Sequence, residues 1–105
     1  ISEIKTLYFE VNWRVVKIGI DNITSTERFP CYINLKFLSE ENPMIRYNVE
    51  RFPGAFLKLK NGTSIIFSNG KVNIVGCKSL KQIKNTWIKT WKILFLTTIK
   101  NMLNI

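Results

Sequence analysis

The sequence predicts an α+β domain of two layers, an antiparallel sheet covered by helices on one face. Three observations carry that expectation. Strand-like segments follow one another closely around Asn61-Gly62 and Asn69-Gly70, the two strongest hairpin signals in the chain. Beyond Gly76 the apolar spacing changes from two to that of a helix. The 105 residues, 46% of them hydrophobic, are enough for one compact core and too few for two, so residues 1–105 are read as a single domain.

The elements follow in order. From Tyr8 to Ile20 the pattern is that of a strand. Phe9, Val11, Trp13 and Val15 alternate before the apolar set shifts to Val16, Ile18 and Ile20, and such a one-residue slip signals a bulge or a bend. Asp21 to Glu27 is polar and reads as a turn. Pro30 suits the first turn of a short helix through Cys31, Ile33, Leu35 and Leu38, which Glu40 to Pro43 ends. Phe52 to Lys60, Thr63 to Ser68 and Lys71 to Val75 form a meander, its two Asn-Gly pairs taken as type I′ turns. Leu80, Ile83, Trp87, Trp91 and Leu94 then mark one stripe of a helix from Ser79 to about Asn101. Trp87, Trp91 and the apolar cluster Ile93 to Leu96 suit a core or a partner surface.

Charge is unevenly placed. Up to Glu50 there are six basic and seven acidic residues; from Arg51 onward there are ten basic residues and no Asp or Glu, so the formal charge of +9 belongs to the second half. That asymmetry favours a polyanionic partner. No apolar run is long enough to span a membrane, and the first ten residues lack the features of a secretory leader. Two distant cysteines, Cys31 and Cys77, and no His exclude a disulfide framework and a zinc site of ordinary spacing, and point to a reducing compartment. With one Asp, no nucleophile elbow, no phosphate-cradling glycine loop and no carboxylate pair of catalytic spacing, the chain is not expected to be an enzyme or to need a cofactor.

Helices that flank a meander in sequence cover one face of it and leave the other open. Period two assigns Ile66, Val72 and Ile74 to the covered face, which turns Ile65, Phe67 and Val75 the other way, among lysines. An apolar sheet face of that kind requires a partner.

The residues around that face form three motifs: Tyr47-Asn48-Val49-Glu50-Arg51-Phe52-Pro53-Gly54, Ile65-Ile66-Phe67-Ser68-Asn69-Gly70-Lys71-Val72 and Val75-Gly76-Cys77-Lys78. In this order and at these separations they resemble one repeat of the TATA-box-binding protein family. The clear match runs from Tyr47 to Lys78, and Arg28-Phe29-Pro30 resembles a Phe-Pro of the family's second repeat. The resemblance implies a half saddle, a curved antiparallel five-stranded sheet with two helices on its convex face. A homodimer or a second related repeat would complete the concave surface.

The implied function is that of a transcription initiation factor. It would bind A·T-rich double-stranded DNA in the minor groove and recruit transcription factors through its helical face, in the nucleus, or in the nucleoid or cytoplasm where there is no nucleus. Minor-groove binding by inserted apolar wedges is this family's own known mode. Position by position, Phe52 and Phe67 fall where the family has its kinking phenylalanines, with Pro53 beside the first. Ile65 and Val75 would meet the groove floor, and Lys58, Lys71 and Lys78 the phosphates. Two departures bear on A·T selectivity: Asn73 stands where the family usually has an apolar residue, and Val75 where it usually has Thr. The family's groove-reading Asn has an approximate counterpart in Asn12, one position out of phase. Rival readings keep the fold but make it a protein-interaction module or a nucleic-acid-positioning appendage of an enzyme.

Overall fold

The computed structural model describes residues 15–18 and 22–103. The elements are β1 (Val15–Ile18), β2 (Ile23–Arg28), α1 (Leu35–Glu41), β3 (Ile45–Tyr47), β4 (Gly54–Leu59), β5 (Gly62–Phe67), β6 (Lys71–Cys77) and α2 (Leu80–Leu103). All strands pair antiparallel in one sheet of order β1-β2-β6-β5-β4-β3. The fold class is the one expected, a sheet with both helices on one face, and the strand count is six.

The pleat sorts the residues. One register row runs Ser25, Ile74, Ser64, Leu57, Ile45 and the next Glu27, Val72, Ile66, Ala55, Tyr47. Every member but Tyr47 is buried, and they lie under the helices with Ile33, Leu35, Leu38, Ile83, Trp87 and Leu94. Full burial of a side chain such as Leu57, Ile66 or Leu94 contributes about 1.5–3 kcal/mol. The layer is partly polar: Ser64 and Thr90 hydroxyls meet at 2.6 Å, and Thr90 Oγ1 donates to the Thr86 carbonyl at 2.8 Å. The Asn42 amide, closing α1, donates to Thr97 of α2 at 3.1 Å and ties the helices together.

Several local expectations are corrected. Asp21 to Glu27 was expected to turn, yet Ile23–Arg28 is an inner strand between β1 and β6. Its helix-facing positions after Ile23 are Ser25 and Glu27, 3% and 2% exposed, so the apolar alternation stops at one residue and the strand forms because both neighbours pair with it. The short helix begins at Leu35 instead of Pro30. Phe29 N–H donates to Gly70 O and Ile33 N–H to Ser68 O, both at 2.8 Å, which stitches the intervening residues to the β5–β6 hairpin. Asn34 then caps α1 by accepting from the Phe37 N–H at 3.0 Å. β1 pairs with β2 one to one from Val15 to Ile18, without the bulge expected there, while Tyr8 to Arg14 lies outside the described residues. The bulge is instead on β6, where the register with β2 shifts beside Gly76.

Neither hairpin is a type I′ turn. Gly62 pairs with Leu59, so the first loop is Lys60-Asn61, and no described non-glycine residue has positive φ. In the second, the Gly70 N–H donates to Phe67 O at 3.0 Å and Gly70 has φ 96°, a three-residue loop with its left-handed position on glycine.

The two thiols differ sharply. Burial pushes the Cys77 thiol up from its ordinary range, partly offset by the Thr86 hydroxyl, whereas Cys31 is exposed. A thiol reagent should therefore label Cys31 quickly and Cys77 only on unfolding. Because Cys77 ionises more readily when unfolded, its contribution to stability is complete below the ordinary thiol pKa and declines as pH rises above it. Cys77→Ala should flatten that alkaline decline in a pH series of thermal melts.

Candidate nucleic-acid interface

The uncovered face is built from the alternate residues of the same strands. Across its middle one register row carries Thr26, Asn73, Ile65, Phe56 and Arg46. One end holds Arg28, Lys71 and Phe67, and the other Val75, Thr63 and Lys58. From Thr63 to Phe67 the strand rises about 14 Å, so the ends are separate places for contact.

Three aromatic rings gather toward the first end. Phe52 lies 5.3 Å from Phe56 and 5.8 Å from Phe67, ring centre to ring centre, and Phe52 and Phe56 are each 38% exposed. Phe52 precedes β4 and is carried there by a turn around Asn48, whose carbonyl accepts from the N–H groups of Arg51 and Phe52 at 3.0 and 3.1 Å. Gly54 makes room. A Cβ there would stand 2.9 Å from Phe52 Cε2, 3.1 Å from Phe67 Cε1 and 3.3 Å from Ile65 Cγ2. Gly54→Val should therefore push Phe52 off the sheet, and the cross-peaks between the Phe52 and Phe67 ring protons should vanish from an NMR spectrum.

The polar groups are fixed as well. Thr26 Oγ1 donates to Asn73 Oδ1 at 3.3 Å, which leaves the Asn73 NH₂ to donate from the middle of the face. Arg28 donates to the Asn69 carbonyl at 3.1 Å and is held at the hairpin end beside Lys71. Lys58 and Lys78 line one shallow cleft with Lys60, Asn61 and Gly76, and the Lys78 N–H donates to Gln82 Oε1 at 2.7 Å.

Eight of the nine residues expected at the site thus lie on this face or its rim, and the ninth, Pro53, is exposed between Phe52 and the start of β4. Ile65, Phe67, Asn73 and Val75 are half-buried in the sheet, and Phe52, Pro53, Lys58, Lys71 and Lys78 are exposed. Asn12 lies outside the described residues. Phe56, Arg46 and Lys60 were not singled out from the sequence. The signal for Phe56 was available, because it shares the phase of Lys58, opposite to Ala55 and Leu57.

The family model described as "Transcription factor TFIID (or TATA-binding protein, TBP)" matches residues 17–96. The chain belongs to the TATA-box-binding protein family. That is a family of transcription factors and not of enzymes. The TATA-box-binding protein of Thermococcus kodakarensis is 33% identical over 81 residues, covering 75% of this chain and 43% of the relative. That of Sulfolobus acidocaldarius is 32% identical over 89 residues, covering 79% and 44%. The solved structure of Methanococcus jannaschii TBP superposes with a TM-score of 0.68 at 29% identity, covering 74% of this chain and 46% of that one. This TATA-box-binding-family chain thus spans less than half the length of these relatives, in keeping with a single repeat.

Proposed function

We propose that the open face binds A·T-rich double-stranded DNA in the minor groove and that the chain acts in transcription initiation, in a nucleus or nucleoid. The observation that carries this is the aromatic group Phe52, Phe56 and Phe67, the first two exposed and the third half-buried, on an uncovered sheet face with cations at both ends. Phe52 and Phe67 enter base steps, since a ring replaces part of the stacking that a kink removes, and Pro53 stiffens the approach. Ile65 and Val75 rest on the groove floor. Asn73 donates to base acceptors there, where guanine would present an opposing amino group. Lys58, Lys71 and Lys78 meet phosphates. A second copy or a second repeat supplies the other half of the surface, and the helical face recruits transcription proteins.

Fluorescence anisotropy of a labelled A·T-rich duplex over a salt series tests this. Log affinity should fall linearly with log salt, by about 0.9 for each phosphate neutralised. Lys71→Ala should lower the slope by about one while weakening all duplexes alike. Binding indifferent to salt and to base composition would contradict the proposal. A second reading, in which the face binds another protein, is favoured by the polar Thr26–Asn73 pair at its centre. A stoichiometric protein complex with no measurable duplex affinity would support it.

A further inference from the structure

α2 has two apolar faces and the sheet uses only one. Its inner face, with Ile83, Trp87 and Leu94 among Thr86, Thr90 and Thr97, is buried. On the outer side Ile88, Trp91, Phe95, Ile99 and Met102 recur at intervals of three or four and form one line along the helix. They are 39%, 37%, 44%, 37% and 64% exposed. Trp91 and Phe95 stack with centres 5.0 Å apart and planes 14° from parallel, and Trp91 meets the edge of buried Phe29 at 5.6 Å. The platform is therefore continuous with the core and already ordered.

An exposed apolar line of four turns requires cover, and the charge around it identifies what fits. Helical geometry sets Lys84 one turn before Ile88 on the same line, and Lys81 and Lys92 along its edge. All three are exposed, and α2 contains no Asp or Glu. A second copy of α2 has no carboxylate of its own to offer Lys81, Lys84 and Lys92, and the carboxylate held against the helix, Glu41, is engaged by Lys100 at 3.1 Å near its far end, so an acidic partner complements this surface better than a copy of it does. We propose that the outer line of α2 docks an acidic, amphipathic segment of another protein. Its apolar side chains would lie on Trp91 and Phe95 and its carboxylates at Lys81, Lys84 and Lys92. This deepens the helical-face part of the function proposed above and rests on it for the partner's role in transcription, not on the DNA face.

The test uses the whole chain and a labelled synthetic sixteen-residue helix with Leu and Phe on one side and Glu on the other. Controls are the same peptide with Glu replaced by Lys, and a scrambled peptide without an apolar side. The acidic amphipathic peptide should bind at least tenfold tighter than either control. Lys84→Glu with Lys92→Glu, and separately Phe95→Ser with Ile99→Ser, should each weaken it at least tenfold. The serine variant should keep its duplex affinity, and the charge variant decides the matter should the serine variant fail to fold. Equal binding of the controls would overturn the proposal. So would a dimer that Phe95→Ser dissociates, or binding to anionic lipid vesicles in place of the peptide. Peptide binding without duplex affinity would leave this proposal standing and remove the DNA reading alone.

Discussion

Replacing Phe52 and Phe67 together by Ala should weaken duplex binding by about a hundredfold or more, with a modest loss of stability. Contact between an aromatic ring and a base is worth about 1–3 kcal/mol, so two rings amount to several kcal/mol, at about 1.4 kcal/mol per tenfold. The folded state loses less. Phe52 is 38% exposed and touches mainly Phe56 and Phe67, and ring pairs of that kind contribute about 0.5–1.5 kcal/mol each. The contrasting variant is Leu94→Ala, fully buried on the opposite side of the sheet. It should lower stability by about 2–5 kcal/mol and leave the affinity of folded molecules unchanged. Titrations and thermal melts of the two variants separate the roles.

Gly70→Ala should be among the most destabilising single changes in the chain. Its φ of 96° lies in the left-handed region, and a Cβ there would stand 2.3 Å from the Phe29 carbonyl oxygen and 3.0 Å from that of Cys31. Both neighbours are backbone, in the segment that the Phe29 N–H to Gly70 O bond ties to the hairpin. Relief requires the β5–β6 turn to part from the chain leading into α1. An effect of about 3 kcal/mol, or a drop in Tm of about 12 °C or more, is expected. Gly76 supplies the control. Its φ is 80°, but a Cβ would meet nothing within 4 Å, so Gly76→Ala should carry only the conformational penalty of about 1 kcal/mol. Equal effects at the two positions would contradict the steric account.

What could be read from the sequence divides along physical lines. β4, β5 and β6 were legible because period-two patterning and two Asn-Gly pairs agreed, and α2 because Ile83, Trp87 and Leu94 recur at helical spacing, although Leu80 and Trp91 of the same expected stripe are exposed. The open-face residues on β5 and β6 followed from the pleat alone. β2 was not legible. A strand that turns Ser25 and Glu27 toward the helices, with Ile23 as the lone apolar residue of that phase, carries little apolar alternation, and one of its two pairing partners, β6, is distant in sequence. The start of α1 was misplaced because Pro30 permits a helix start, whereas hydrogen bonds to the β5–β6 hairpin hold the residues after it away from one. The face of Phe56 is legible from the phase it shares with Lys58, whereas its place beside Ile65 follows only from a hairpin whose loop is Lys60-Asn61, one residue earlier than the Asn-Gly pair implies.

The central claim is that the aromatic rings of the open face deform DNA. Energy transfer between dyes at the two ends of a short A·T-rich duplex measures that deformation directly. Transfer should rise on addition of the chain at low salt and saturate with binding, and the Phe52→Ala, Phe67→Ala variant should give little rise even at concentrations where it binds. A duplex that the chain occupies fully without change in end-to-end distance, or whose bending survives loss of both rings, would contradict the account.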